Sequence, residues 1–396
     1  MVNRIIYNQQ ELFVFPTSGE QENGSTFYLP QFKILKKIEK IQNINYSIEQ
    51  LREDAKGFGQ KINIFRGTRS SPQGNLTFSY IPDGITNENR LGFNVGHFNK
   101  NFNGNMFSGI CTNDKNINRR DFYLAVNKNT EDIDSASYIN QSFIFPNTQE
   151  DVIHPKAKDF QLIHFQDCYL NSYNFDLRLN QLPKIEQNYI FNNIIFYSSG
   201  SGINYTNLNI KSGFNEKLNN IIILPKDVNI NQPFITGQNI LTPNNLNLYI
   251  TTDNDIVKFH KENIQGANFS INFDRKIIRS INYRFPIIEK VNFPVNGEVN
   301  ISLLIDNTSL TGSFFNTLKE DKNYDIALRF NPDPLKDIKE TIFTISGCKF
   351  DNINYNSSIG DNKSAELKFI FNIDTDFNSC GLFASGNLLR YKNYAL

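Results

Sequence analysis

Tryptophan is absent from this 396-residue chain, and methionine (2), cysteine (4) and histidine (4) are scarce. The cysteines, Cys111, Cys168, Cys348 and Cys380, make no CxxC pair and no Cys/His cluster at metal-ligand spacing, so no metal site is expected. So few in so long a chain also argue against a disulfide framework. His97, His154, His164 and His260 never stand four residues apart, and none lies beside a serine or cysteine in a nucleophile motif. His164 reads as a core or surface residue of a strand, because its match in the repeat described below is Thr344. Residues 57–59 and 200–202 are glycine-rich but do not continue into a phosphate-cradling motif. Residues 252–255 lack the glycine and glutamate of a calcium loop. The expectation is therefore no catalytic residue, no cofactor and no enzyme activity.

Charge of one sign is lacking as well. The 40 basic and 40 acidic residues cancel, and the densest basic stretch, residues 33–40, is interrupted by Glu39. A dedicated nucleic-acid binder needs a basic face to neutralise phosphates, so that class is disfavoured. No apolar run approaches the roughly 18 residues of a membrane span. The start, residues 1–11, lacks the apolar core of a secretory signal, so synthesis in the cytoplasm is expected.

Present in quantity are asparagine, isoleucine, phenylalanine (35) and tyrosine (17). Asparagine and glycine favour turns, and the aromatic and β-branched residues favour strands. The length allows two or three domains. One pattern occurs twice. Setting Cys168 on Cys348 gives an offset of 180 that holds without a gap. Ile163 and Phe165 then match Phe343 and Ile345, Leu170 matches Phe350, and Phe191 matches Phe371. In each copy the apolar positions alternate, change parity at the cysteine, and change back after Asn171-Ser172 or Asp351-Asn352. Period-2 alternation marks strands, and a parity change marks a bulge. Phe165, Cys168, Leu170 and Phe191, with Ile345, Cys348, Phe350 and Phe371, are the expected repeat-equivalent core.

Weaker matches extend the repeat upstream. Ile44-Asn45-Tyr46 is set against Ile281-Asn282-Tyr283, and the turn and strand from Pro72 against those from Pro294. On that alignment the first copy carries two insertions. One holds Arg52, Glu53, Asp54, Lys56 and Phe58, expected to form a projecting loop that contacts an adjoining chain. The other covers residues 94–109, rich in asparagine and glycine and expected to touch a partner. Residues 309–321, with Leu310, Phe314 and Leu318 four apart, are the best helix candidate. The expected order is an N-terminal arm (1–31), a first β-domain (32–200), a connector (201–239), a second β-domain (240–376) and a C-terminal arm (377–396).

The cysteine-led strand from Ser346, the closing strand from Leu367, the turn and strand from Val295, and the opening phrase at residues 239–250 together resemble the tail tube (major tail) proteins of long-tailed bacteriophages. The resemblance implies an all-β, mainly antiparallel fold of two tandem tube-like β-sandwich or half-barrel domains, each with about one short helix. It further implies a structural virion protein of the phage tail, made in the host cytoplasm, that pairs with itself in trimeric, pseudo-sixfold rings. Such rings stack, contact other tail proteins, and conduct DNA as cargo in the lumen. The alternative is a tail-tip, baseplate or neck β-sandwich that binds a receptor or carbohydrate.

Overall fold

The computed structural model describes residues 10–16, 32–34, 36–49, 52–55, 65–68, 73–82, 84–96, 104–111, 119–127, 142–144, 160–198, 221–223, 241, 245–252, 256–259, 261–278, 288–305, 318, 322–330, 340–356, 363–375 and 380–386. The fold is all-β, and its main body is one antiparallel sheet of 16 strands. The first eight are β1 (Gln10–Pro16), β2 (Lys36–Lys37), β3 (Ile41–Glu49), β4 (Gln73–Tyr80), β5 (Arg120–Asn127), β6 (Phe160–Arg178), β7 (Lys184–Phe191) and β8 (Asn193–Ser198). The second eight are β9 (Leu246–Thr251), β10 (Ile256–Phe259), β11 (Ile264–Asn272), β12 (Val295–Leu304), β13 (Asn323–Phe330), β14 (Thr341–Asn356), β15 (Ser364–Ile373) and β16 (Gly381–Ser385).

Every pairing in the first set recurs in the second with eight added to each number. β1 pairs with β2 and β5, β5 with β6, β6 with β7 and β8, β7 with β4, and β4 with β3. The counterparts are β9 with β10 and β13, β13 with β14, β14 with β15 and β16, β15 with β12, and β12 with β11. The chain is thus a tandem duplication. The strand β1 and the strand β16 fall in stretches expected to be arms or short edge strands, and Leu12, Val14, Leu382 and Ala384 in them are fully buried. Residues 309–321, apart from Leu318, lie outside the described residues; the described α-helix is α1, Thr86–Arg90.

The parity changes come from one bulge used twice. Asp167 (φ 50°) and Gly347 (φ 74°) occupy the same place in the left-handed region, just before Cys168 and Cys348. The backbone amide of each donates to a carboxylate on the neighbouring strand at 3.1 Å, Asp167 to Asp121 and Gly347 to Asp325. Each thiol then donates back to a carbonyl three residues earlier, Cys168 to Phe165 and Cys348 to Ile345. A second bulge follows in both copies, between Leu170 and Ser172 and between Phe350 and Asn352. Because of these bends, β6 and β14 join one ladder with their first halves and another with their second halves. Of the cysteine thiols, burial holds Cys348 well above its usual range and Cys111 at about 12, so both act as small apolar residues.

A 40-residue stretch of the first copy, Ile41 to Tyr80, matches Ile264 to Leu303 at a constant offset of 223, set by Gly74 on Gly297. The two glycines leave room for equivalent rings, Phe191 and Phe371. The same offset carries a bulge at Ile41/Asn43 onto one at Ile264/Gly266. It also carries the hairpin Arg52–Ala55 with Phe65–Thr68 onto Arg275–Ile278 with Ile288–Val291. Two readings of the sequence are corrected. Ile44 matches Ala267, not Ile281, and the loop starting at Arg52 is a shared hairpin, not an insertion.

Where the copies differ is in the core. In copy one the buried Glu88 of α1 accepts from Tyr80 (2.7 Å) and Tyr173 (3.2 Å). Gln187 donates to the Tyr80 hydroxyl and accepts from Tyr189. The equivalent positions in copy two are Leu303, Ile353, Leu367 and Phe369, a hydrocarbon core. Glu88 Oε2 is buried with no hydrogen-bond partner among the described residues. Burial therefore raises its carboxyl from 4.5 to about 7, and the two tyrosine hydroxyls only partly oppose that rise.

Two predictions follow from this packing. A carboxyl that keeps its proton to about pH 7 when folded, but releases it near 4.5 when unfolded, stabilises the fold fully below 4.5. That stability is lost as pH rises through 7, and across the window it amounts to about 3 kcal/mol. Glu88→Gln should flatten the pH dependence, matching wild type at pH 5 and exceeding it at pH 8 in urea titrations. The second concerns the bulge. A Cβ at Gly347 would sit 2.6 Å from Cys380 Sγ and force a side chain into the left-handed region. Gly347→Ala should cost about 1–3 kcal/mol in the same titration, whereas Asp167→Gly should not destabilise the equivalent bend.

Candidate assembly interface

The two copies meet edge to edge. The second half of β6 pairs with β11 from Ser172↔Asn272 to Arg178↔Gly266, so copy two's outermost strand extends copy one's sheet. Phe175 lies opposite Phe269 in this ladder, and their rings stack at 4.9 Å. Phe175 also packs on Phe330 and Phe343 of copy two, at 6.2 and 5.5 Å. Tyr173 and Ile271 complete a dry seam in which all of these side chains are buried. Each such ring contributes about 1.5–3 kcal/mol of transfer free energy. Polar residues take the opposite face: Asn174 faces Ser270 and Asp176 faces Asn268. At the end of the seam Arg275 donates two hydrogen bonds to the Leu170 carbonyl, at 2.9 and 2.7 Å, and Phe273 N donates to Asn171 O.

A strap from copy one reinforces the seam. Gly96 pairs with Ser385 of β16, its amide donates to Ala384 O, and Asn105 donates to Cys380 O. Phe107, on the 3-10 turn Met106–Gly109, packs on Tyr173 and on Phe273. The described ends of the 94–109 segment are thus tied to the second copy of the same chain.

Among the described residues, the equivalent surfaces at the outer ends have no second strand. β3, the counterpart of β11, closes one end of the sheet path. On β14, pairing with β13 stops at Lys349, and no strand among the described residues continues it along 350–356. The counterparts of the seam residues are exposed there: Tyr46 43% and Ile48 43%, standing where Phe269 and Ile271 are buried, and Tyr355 59%, standing where Phe175 is buried. Their partners across the strand pairs, Leu76, Gly74 and Ala365, are core residues, so all three side chains belong to the core-facing side. Neither run carries a lysine or proline, and their charged residues are Glu49 and Asp351.

Of the residues singled out from sequence, Phe165, Cys168, Leu170 and Phe191 are buried, as are Ile345, Cys348 and Phe371, and Phe350 is half-buried against Phe369. Arg52, Glu53 and Asp54 lie on the hairpin beside β3, with Arg52 at the strand position of Arg275; Lys56 and Phe58 lie outside the described residues. His164 is buried, stacked on Tyr123 at 4.1 Å, with Nε2 3.3 Å from Asp121. Among the described residues no three His, Cys, Asp or Glu side chains group as metal ligands. No described helix is long and apolar enough to cross a membrane. The seam residues Tyr46, Ile48 and Tyr355 were missed as a site. A signal for two of them existed: Ile41-Gln42, Asn45 and Ser47-Ile48 recur as Ile264-Gln265, Asn268 and Ser270-Ile271.

No protein-family model matches the sequence, and no curated protein matches it. Among solved structures, a chain of the anti-feeding prophage baseplate, determined by electron cryo-microscopy with sixfold symmetry imposed, aligns at a TM-score of 0.23 and 11% identity. The alignment covers 33% of this chain and 93% of that one. A score of that size does not establish a shared fold.

Proposed function

We propose that this chain is a structural protein of a bacteriophage tail, without enzyme activity, that assembles with itself through its sheet edges. The observation that carries the reading is the seam between β6 and β11, where two equivalent units already join edge to edge, while among the described residues no strand pairs with their equivalent outer edges. Three chains supply six such units, enough for a pseudo-sixfold ring, and a head-to-tail contact that closes by rotation pairs both of these outer edges. Stacked rings would form the tail tube, contact other tail proteins, and pass DNA along the lumen. Zero net charge suits such a conduit, since a basic lining would hold each passing phosphate. The hairpin bearing Arg52, Glu53 and Asp54 belongs to the contact, because its counterpart carries Arg275 at the internal seam.

The same architecture would serve a ring at the tip, baseplate or neck, with receptor or carbohydrate binding as its distinguishing property. Electron microscopy and native mass measurement of the purified protein test the reading. Trimeric rings with pseudo-sixfold symmetry that stack into hollow tubes are expected. Single unstacked rings that retain glycans would move the protein to the tail tip. A stable monomer at all concentrations, or rings of six chains, would overturn the assembly proposed.

A further inference from the structure

The internal seam points to the register of the contact between chains. We propose that Asn352–Asn356 of one chain pairs antiparallel with Asn45–Glu49 of a second copy, with Tyr355 opposite Tyr46. This rests on the self-assembly part of the function proposed above and is independent of its viral setting.

The register follows from the two offsets. Adding 180 to the β6 side and subtracting 223 from the β11 side converts Ser172↔Asn272 into Asn352↔Glu49. Tyr173↔Ile271 becomes Ile353↔Ile48, Asn174↔Ser270 becomes Asn354↔Ser47, and Phe175↔Phe269 becomes Tyr355↔Tyr46. The bulges that aim the strands are already in place on both sides, at Phe350/Asn352 and at Ile41/Asn43. Apolar and polar faces agree: Ile353 and Tyr355 share the core-facing side with Ile48 and Tyr46, and asparagine, serine and Glu49 stand on the other side. Both edges even carry the same tetrapeptide, Asn43-Ile44-Asn45-Tyr46 and Asn352-Ile353-Asn354-Tyr355.

Size complementarity supports the pairing. Phe330 and Phe343, which wall the Phe175 site, correspond to the smaller Val126 and Ile163 in copy one, where the larger Tyr355 would enter. The ladder should end before Asn43. Its counterpart Gly266 faces the Leu177 carbonyl so closely that a Cβ would come to 3.0 Å.

Because the contact is head to tail, each edge can be disabled alone. Ile48→Asp and Tyr355→Asp place a charge on exposed positions, so both variants should fold, checked by circular dichroism and thermal melting against wild type. Sedimentation should show each variant alone as a monomer, with self-association weakened at least 100-fold. Mixed one to one, they should form a dimer that grows no further, since the intact Asn352–Asn356 edge of Ile48→Asp meets the intact Asn45–Glu49 edge of Tyr355→Asp. Undiminished assembly by either variant alone, or a mixture that stays monomeric while wild type assembles, would overturn the register and leave self-assembly standing. Wild type that stays monomeric throughout would overturn self-assembly itself.

Discussion

An antiparallel strand presents hydrogen-bonding groups on both edges, and a sheet that does not close must leave two rows of them in water. This constraint governs the molecule. Within one chain it is met by laying β11 along the second half of β6, so that one copy's outer strand becomes its neighbour's inner strand. The bulges at Asp167 and Gly347 make this possible. They turn each long strand away from β5 or β13 and offer a fresh edge beyond the turn. Asp121 and Asp325 satisfy the amide that each bend would otherwise strand.

Duplication alone would give two equal halves, and the halves are not equal. Around the buried Glu88, copy one places three tyrosines and a glutamine where copy two packs leucine, isoleucine and phenylalanine. Hydrocarbon packing needs no directional partners, so copy two tolerates a core of simple alternation. The copy-one network fixes α1 over β4 and β6 through Glu88. From there the chain runs on through Phe93 to the strap that reaches β16. The polar core thus underlies the segment that spans the internal seam.

Much of the fold was legible because strand alternation is local. The parity changes at Cys168 and Cys348 were readable as bends, and the offset of 180 carried the duplication. The N-terminal strand was not readable as core: Leu12, Phe13 and Val14 are too short an apolar run to stand out from a polar stretch, and only tertiary pairing with β5 makes them core. The identical Ile-Asn-Tyr at 44–46 and 281–283 pulled the alignment away from strand equivalence, which hid both the hairpin counterpart and the open edges. The internal seam joins residues 94 positions apart, Phe175 to Phe269, and no short-range pattern encodes such a contact.

The residue types at the two kinds of edge differ in a way that fits their histories. At the internal seam the stacked pair is Phe175 and Phe269, buried once the chain has folded. At the outer edges the equivalent residues are Tyr355 and Tyr46. A phenolic ring presents nearly the same apolar face for stacking, and its polar hydroxyl suits a position exposed to water better than a plain phenyl ring does. Asparagine and serine along the same strands provide groups that can face water or a cross-strand amide. An edge built this way limits non-specific apolar association in the free chain. The backbone ladder, satisfied only in register, then supplies the specificity that the mild side chains leave to it.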